Sequence, residues 1–254
     1  MNEILKKMNC PDSCIVGNTI YKKMFYENAT MNKRDKEIFK DHINKIIWQY
    51  SFKLATINLQ PYKDDIREYE EVAVLEVSLS NGSKCKRIAE IIQGTIPYPT
   101  MIAFVENERV LLNVAHKRTN MADASKNTIE ESISTEWIDL SDLTDRQKQF
   151  LEDLDIKTLP FSNAYKFYSA LVDKLNLFNA SSLGLDYSQI KGKDANSIKI
   201  LKDKIDSLEA KIIELKNSIK KEKHFNKKMK MNVEIKKQED KKKQLINELK
   251  QGTK

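Results

Sequence analysis

The sequence predicts an α+β fold: a mixed sheet with helices on one face, followed by a C-terminal antiparallel helical hairpin that forms a coiled coil. Three observations support this prediction. The centre of the chain follows the order strand, helix, strand, strand. Apolar residues in the last quarter recur with a seven-residue period. Residues 191–254 hold 20 lysines and 10 acidic residues, a net charge of +10 in a chain whose total is +7.

The first predicted helix begins after Asn32, which is a favourable N-cap because Asp35 follows three residues later. Apolar residues then recur at helical spacing as far as Tyr50, and the prediction extends the helix to that residue. They are Ile38, Phe39, Ile43, Ile46, Ile47 and Tyr50. His42 lies near the edge of this apolar stripe, and we interpret it as a packed residue.

The central segments alternate between strand and helix. A strand over Val72–Leu79 closes at the turn Asn81-Gly82, and a helix over Arg87–Ile92 stops at Gly94. Two further strands, Thr100–Val105 and Val110–His116, are separated by a short turn at Asn107-Glu108. This order predicts the mixed sheet.

The remainder of the body contains a possible strand over Ile133–Ile138 and two helices, which Thr144 and Ser162 can cap. Two glycines and several serines in residues 179–193 then indicate a linker. The predicted organisation is an α+β body over residues 1–180, a linker over residues 181–197 and a hairpin over residues 198–250.

The hairpin prediction rests on apolar residues whose spacing alternates between three and four. The first run is Ile198, Leu201, Ile205, Leu208, Ile212, Leu215 and Ile219. A second run in a different frame is Met231, Ile235, Leu245 and Leu249. The change of frame near Glu222 to Asn226 fits a tight reversal, although no glycine or proline marks it. We interpret both runs as the seam of one coiled coil.

The lysines of this tail allow two interpretations. A coiled coil commonly carries lysine and glutamate outside its seam, where they face solvent or a protein partner. Lysines along one side could instead neutralise several phosphates, which would give sequence-independent binding to nucleic acid. Phe225 is the only aromatic residue after Tyr187, so base stacking has little support. Docking to a protein is the favoured task, with phosphate contact as an aid.

Composition excludes several other classes of protein. Residues 1–7 lack the apolar core of a signal peptide, and no apolar run is long enough to span a membrane, so a cytoplasmic protein is expected. Cys10, Cys14 and Cys85 are an odd number of cysteines, for which free thiols are expected. No second close pair of soft ligands accompanies Cys10 and Cys14, so we predict no metal site and no cofactor.

Complete catalytic motifs are absent from the sequence: it has no phosphate-binding glycine loop, nucleophile elbow or paired zinc histidines. The one enzyme hypothesis is a Mg²⁺-dependent nuclease of degenerate restriction-enzyme type, with Glu76 and either Asp64 or Asp65 as acids. Such enzymes place a lysine two residues after the strand acid, but Ser78 occupies that position. The sequence therefore favours a non-catalytic protein.

A short cationic segment, His116-Lys117-Arg118, closes the third central strand. Its side chains could bind a phosphate, a carboxylate or nucleic acid, because arginine and lysine both suit such anions. A charged strand end that discourages edge pairing is the alternative interpretation. The three residues are the candidate anion contacts.

Several stretches resemble a bacterial family known only as a domain of unknown function, and the likeness runs over the full length. These stretches are Arg67-Glu68-Tyr69-Glu70-Glu71, Ala89-Glu90-Ile91-Ile92 through Ile96-Pro97-Tyr98-Pro99, Val114-Ala115-His116-Lys117-Arg118, Lys221-Glu222-Lys223-His224-Phe225-Asn226 and Met231-Asn232-Val233-Glu234. The resemblance implies a place beside restriction-like helicases and DNA methyltransferases in antiviral gene clusters. It implies an accessory subunit and supplies no catalytic residues.

The expected function is therefore a non-catalytic adaptor of a restriction-modification-like defence system. Its basic coiled-coil tail would dock to a helicase, to a DNA methyltransferase or to a second copy of the chain. The alternatives are the nuclease centred on Glu76 and a non-specific nucleic-acid-binding protein.

Overall fold

The computed structural model describes residues 3–119 and 127–251 of the chain. They belong to two compact units, Met1–Leu175 and Asn176–Lys254. The helices are α1 (Glu3–Lys7), α2 (Lys22–Asn28), α3 (Lys33–His42), α4 (Leu54–Ile57), α5 (Cys85–Thr95), α6 (Asp145–Asp153), α7 (Ala164–Ser181), α8 (Tyr187–Ile190), α9 (Ala195–Lys221) and α10 (Phe225–Gln251). The strands are β1 (Ile15–Thr19), β2 (Ile43–Phe52), β3 (Tyr62–Lys63), β4 (Glu68–Tyr69), β5 (Val72–Leu79), β6 (Thr100–Glu106), β7 (Arg109–Thr119), β8 (Asn127–Ser134) and β9 (Ile138–Asp139).

The first unit is organised by a seven-stranded mixed sheet in the order β1-β2-β5-β6-β7-β8, with β9 paired to β7. Only β5 and β6 are parallel, with Leu75 opposite Ile102, and α5 connects them. Every other pairing in this sheet is antiparallel. Strands β3 and β4 form a separate two-stranded sheet. The mixed sheet and the α+β class are confirmed.

One face of the large sheet is covered by α2, α3 and α5. Their apolar residues, among them Phe25, Phe39 and Ile88, form a buried cluster with sheet residues such as Leu75 and Val77. The amphipathic pattern of α5 explains this packing, because its isoleucines recur at helical spacing on one side.

Helix α7 adds contacts on the other face of the sheet. The rings of Phe52 on β2 and Phe167 on α7 are 5.3 Å apart between centroids. Phe52 pairs with Val72, whose side chain alternates away from that of Leu75 and therefore points away from α5. The hydroxyl of Tyr168 also donates to the backbone carbonyl of Thr100 at 2.8 Å.

The predicted helix after Asn32 begins as expected but ends earlier. The side chain of Asn32 accepts a hydrogen bond from the backbone N–H of Asp35, which completes the predicted capping box. The helix stops at His42, and residues 43–52 form β2, so the predicted extension to Tyr50 is wrong. Irregular register between Trp48 and Tyr50 disturbs the two-residue alternation, which makes the apolar spacing resemble that of a helix.

Three other elements also differ from the prediction. Strand β1 at the sheet edge was not predicted, because its sequence Ile-Val-Gly-Asn-Thr has little alternation. Asn163, and not Ser162, caps α7, since its side chain accepts from the backbone N–H of Lys166 at 2.9 Å. The predicted strand over Ile133–Ile138 is divided between the end of β8 and β9.

In the second unit, α9 and α10 form an antiparallel hairpin, as predicted. The side chain of Asp194 starts α9 by accepting from the backbone N–H groups of Asn196 and Ser197. The predicted linker contains the short helix α8.

Candidate docking hairpin and candidate sheet residues

The predicted seam of α9 contains two rows that differ in burial. The isoleucine row is buried, with Ile198, Ile205 and Ile212 at 7%, 0% and 6% exposure. The leucine row is only half-buried; its members are Leu201, Leu208 and Leu215. Of the predicted seam residues near the loop, Ile219 and Met231 are also half-buried. On α10, Ile235 and Leu249 are buried, whereas Leu245 is half-buried.

Helices α9 and α10 therefore leave the leucine side of their seam partly exposed to solvent. A groove on the hairpin is lined by Ile200, Asp203, Lys204, Ser207, Leu208, Lys241 and Leu245. Its aliphatic residues are Leu208, Leu245 and Ile200, and Ile200 is 46% exposed. The rim carries charges of both signs. We call this surface the leucine groove. Sequence analysis did not single out Ile200, although an isoleucine outside the heptad frame was a visible signal.

Ion pairs between the helices hold the middle of the hairpin in register. Lys216 lies 2.9 Å from Glu239, and Lys242 lies 3.1 Å from Glu209. These side chains are substantially exposed, so each pair adds little stability. The pairs nevertheless show that lysines in this part of the hairpin bind glutamates of the opposite helix.

The reversal between the helices is held by a carboxylate. One oxygen of Glu222 accepts from the backbone N–H groups of Lys223 and His224, each at 2.8 Å. These bonds, with the nearby charge of Lys227, hold the pKa of the Glu222 carboxyl below its usual range. A side chain thus supplies the turn chemistry for which glycine or proline usually serves.

The loop end of the hairpin, residues 220–230, carries six lysines and one acidic residue. We call it the lysine tip. Within the described part of the chain, only Lys227 is paired, at 4.0 Å from Glu222. The other lysines here form no ion pair with a described residue; they are Lys220, Lys221, Lys223, Lys228 and Lys230. Phe225 is 72% exposed at the same end.

On the sheet, Glu76 lies on β5, and its carboxylate accepts from the side-chain amide of Gln49 on β2 at 3.1 Å. It is 8% exposed. Asp64 belongs to the turn between β3 and β4, where it accepts from the backbone N–H groups of Ile66 and Arg67 at 2.9 and 2.6 Å. Asp65 lies in the same turn and is exposed. Glu76 thus lies on a strand of the large sheet, whereas Asp64 and Asp65 lie in the turn between β3 and β4.

A second buried carboxylate near β5 was missed by sequence analysis. Glu71 accepts from the hydroxyl of Ser51 at 2.5 Å and lies 3.2 Å from the ammonium of Lys53. It is 7% exposed, and Lys53 is partly exposed. Because hydroxyl and ammonium groups satisfy this carboxylate, its observed partners account for its burial.

The cationic segment at the end of β7 does not present one surface. Lys117 is 2% exposed, and its ammonium donates to the carbonyls of Ile96 and Tyr98 at 2.8 and 2.5 Å. Burial lowers the pKa of this lysine well below its usual range. Arg118 is exposed, whereas His116 is half-buried.

His116 is held among tyrosine rings. Its Nδ1 atom is 3.0 Å from the hydroxyl of Tyr69, and its ring meets that of Tyr168 edge-on at 5.4 Å between centroids. Burial lowers the pKa of the imidazole, which favours its neutral form. The predicted anion contacts remain a prediction, and Arg118 is the exposed residue among the three.

Within residues 3–119 and 127–251, no three His, Cys, Asp or Glu side chains are grouped so that they could hold a metal ion. The helices in those ranges include none with the length and apolar character needed to cross a membrane.

The profile of a sequence family described as a domain of unknown function, DUF4391, matches residues 8–241. The chain belongs to the DUF4391 family. The match extends from the N-terminal segment of this DUF4391 protein through most of α10, so sheet and hairpin both belong to the family's shared sequence. Neither the curated proteins nor the solved structures contain a match to the chain.

Proposed function

We propose that this DUF4391 protein is a cytoplasmic, non-catalytic adaptor of a bacterial restriction-modification-like defence system. In this proposal the leucine groove receives an amphipathic helix of a helicase or DNA methyltransferase subunit. The half-buried leucine row supports the proposal most directly, because coiled-coil leucines are normally enclosed by facing helices.

The half-buried leucine row is confined to one side of the hairpin. Leu208 and Leu245 are half-buried, whereas Ile205 and Ile212 on the same hairpin are buried. A third helix laid along the groove would remove Leu208, Leu245 and Ile200 from water together. Burying a fully exposed side chain of this kind is worth about 1.5–3 kcal/mol, so each of these partly exposed residues adds about half of that or less, and their sum contributes to holding a complex.

Charge indicates which helix would fit. Residues 191–254 carry a net charge of +10, so two copies of this tail would repel each other. An acidic helix gains from the same charge, through faster association and a favourable rim. A partner subunit with an acidic amphipathic helix is therefore favoured over self-association.

The test compares two exposed isoleucines of the same helix. Ile200 lines the leucine groove and is 46% exposed, whereas Ile213 lies outside it and is 54% exposed. Each variant, Ile200→Glu and Ile213→Glu, is co-expressed with a candidate helicase or DNA methyltransferase subunit, and copurification of the two proteins is quantified. We expect Ile200→Glu to weaken the complex about 10- to 100-fold.

Ile213→Glu should leave the complex intact, since it adds the same charge to the same helix. Equal copurification of the wild type and both variants would refute docking at the groove. Loss of the complex in both variants would indicate a general charge effect and would also reject the proposed site.

A further inference from the structure

The lysine tip differs from the rest of the hairpin in how its charge is used. Along the middle of the hairpin, Lys216 and Lys242 face Glu239 and Glu209 on the opposite helix. Residues 220–230 hold six lysines against the single acid Glu222. That acid also caps the loop through two backbone N–H groups. The tip therefore carries a concentrated positive charge, and Glu222 is the one acidic side chain among the described residues that pairs with it.

The position of two of these lysines costs helix stability. Lys227 and Lys228 lie in the first turn of α10, which contains no acidic residue. The N-terminal end of a helix favours acidic side chains and disfavours lysine, by about 0.3–1 kcal/mol for each exposed charge. Helix stability alone does not explain this placement, whereas binding of an anionic ligand would.

We propose that the lysine tip binds the phosphate backbone of single-stranded nucleic acid without sequence specificity. Lysine ammonium groups act as point charges that suit phosphate oxygens. Arginine, which supplies the commonest bidentate contact to guanine, is absent from residues 191–254. The tip can thus attract a strand mainly through its phosphates.

The exposed ring of Phe225 is the reason that the tip should prefer single-stranded over double-stranded nucleic acid. Its ring is 72% exposed at the loop end, between Lys223 and Lys227 in the sequence. An exposed aromatic ring beside lysines can stack on an unpaired base, a contact that a closed duplex does not offer. An anionic membrane is less well matched, because membrane-surface helices need a continuous apolar face and the tip offers mainly charge.

The leucine groove and the lysine tip share no residue, so the two proposals can fail separately. The binding test uses fluorescence anisotropy of a labelled oligothymidylate of about 20 nucleotides. The tip variant combines Lys221→Gln, Lys223→Gln and Lys228→Gln. A matched control removes three exposed lysines outside both surfaces, through Lys236→Gln, Lys237→Gln and Lys243→Gln.

We expect the tip variant to lose about 100-fold in affinity near 0.1 M salt, because each single-strand phosphate contact contributes about 0.7 to the slope of log K against log salt. That slope should fall by about 2 in the tip variant. The control should bind the oligonucleotide as the wild type does. Thermal melting by circular dichroism is used to check that both variants retain the helices.

Two additional arms distinguish the ligands. Phe225→Ala should reduce the preference for the single strand over a duplex by about tenfold. Binding to vesicles of phosphatidylserine and phosphatidylcholine tests whether the tip prefers an anionic membrane. Unchanged affinity in the tip variant, an equal loss in the control, or vesicle binding stronger than oligonucleotide binding would overturn the proposal.

Discussion

The buried isoleucine row predicts that the hairpin can be weakened without disturbing the sheet. Ile205 is fully buried in the seam, so Ile205→Ala removes apolar contacts and leaves a cavity. Such substitutions cost about 2–5 kcal/mol, and the lower half of that range applies here because a two-helix seam can partly collapse. For a unit of this size, a loss of about 2–3 kcal/mol corresponds to a fall of about 10–20 °C in its Tm.

The chain offers a direct way to measure this effect. Its two tryptophans, Trp48 and Trp137, both lie in the first unit, whereas α9 and α10 lie in the second. Far-UV circular dichroism follows the helices of both units, to which α9 and α10 contribute 27 residues each, and tryptophan fluorescence follows the first unit. We expect Ile205→Ala to lower the helical transition and leave the fluorescence transition unchanged.

Ile213→Ala is the matched control, because it removes the same atoms from a side chain that is 54% exposed. Its cost should stay below about 1 kcal/mol. A fluorescence transition that moves with the helical one would show that the two units unfold together. An equal effect of both substitutions would refute the assignment of the seam.

Two other predictions concern the sheet unit. Arg87 donates to both oxygens of Asp35 at 2.8 and 2.9 Å and thereby holds the pKa of that carboxyl below its usual range. Asp35→Asn should cost about 2 kcal/mol at neutral pH. Since the folded pKa is the lower one, the difference should shrink as pH falls below about 4, and urea unfolding at several pH values measures it. A constant difference would contradict the ion pair. Incubation with plasmid DNA and Mg²⁺ or Mn²⁺ should give no cleavage, because the described residues contain no cluster of three His, Cys, Asp or Glu side chains that could hold a metal ion and Ser78 occupies the lysine position. Cleavage that Glu76→Gln removes would establish the nuclease instead.

Local chemistry made part of the fold predictable from sequence. The capping box of Asn32 and Asp35 depends on residues three apart, and the structure contains both of its hydrogen bonds. The central strands and the coiled-coil seam were predictable for the same reason, since each has a clear period. Strand β2 was not, because an irregular pairing at Trp48 and Tyr50 depends on neighbouring strands.

The candidate surfaces were only partly visible in the sequence. The heptad run predicts which leucines belong to the seam, but Leu201 and Leu208 have the same pattern whether a third helix covers them or not. Lysine numbers were likewise visible. Their pairing was not, because the partners Glu239 and Lys216 are brought together only by the reversal at Glu222.

Because its amine is buried, Lys117 can serve as a chemical probe for local opening of the sheet. An amine-reactive reagent can modify the exposed lysines of the hairpin in the native state, but it reaches Lys117 only when the segment Ile96 to Thr100 separates from β7. The rate at which Lys117 becomes labelled would therefore report opening of the body. Where reclosing is faster than labelling, that rate measures the equilibrium population of the open form.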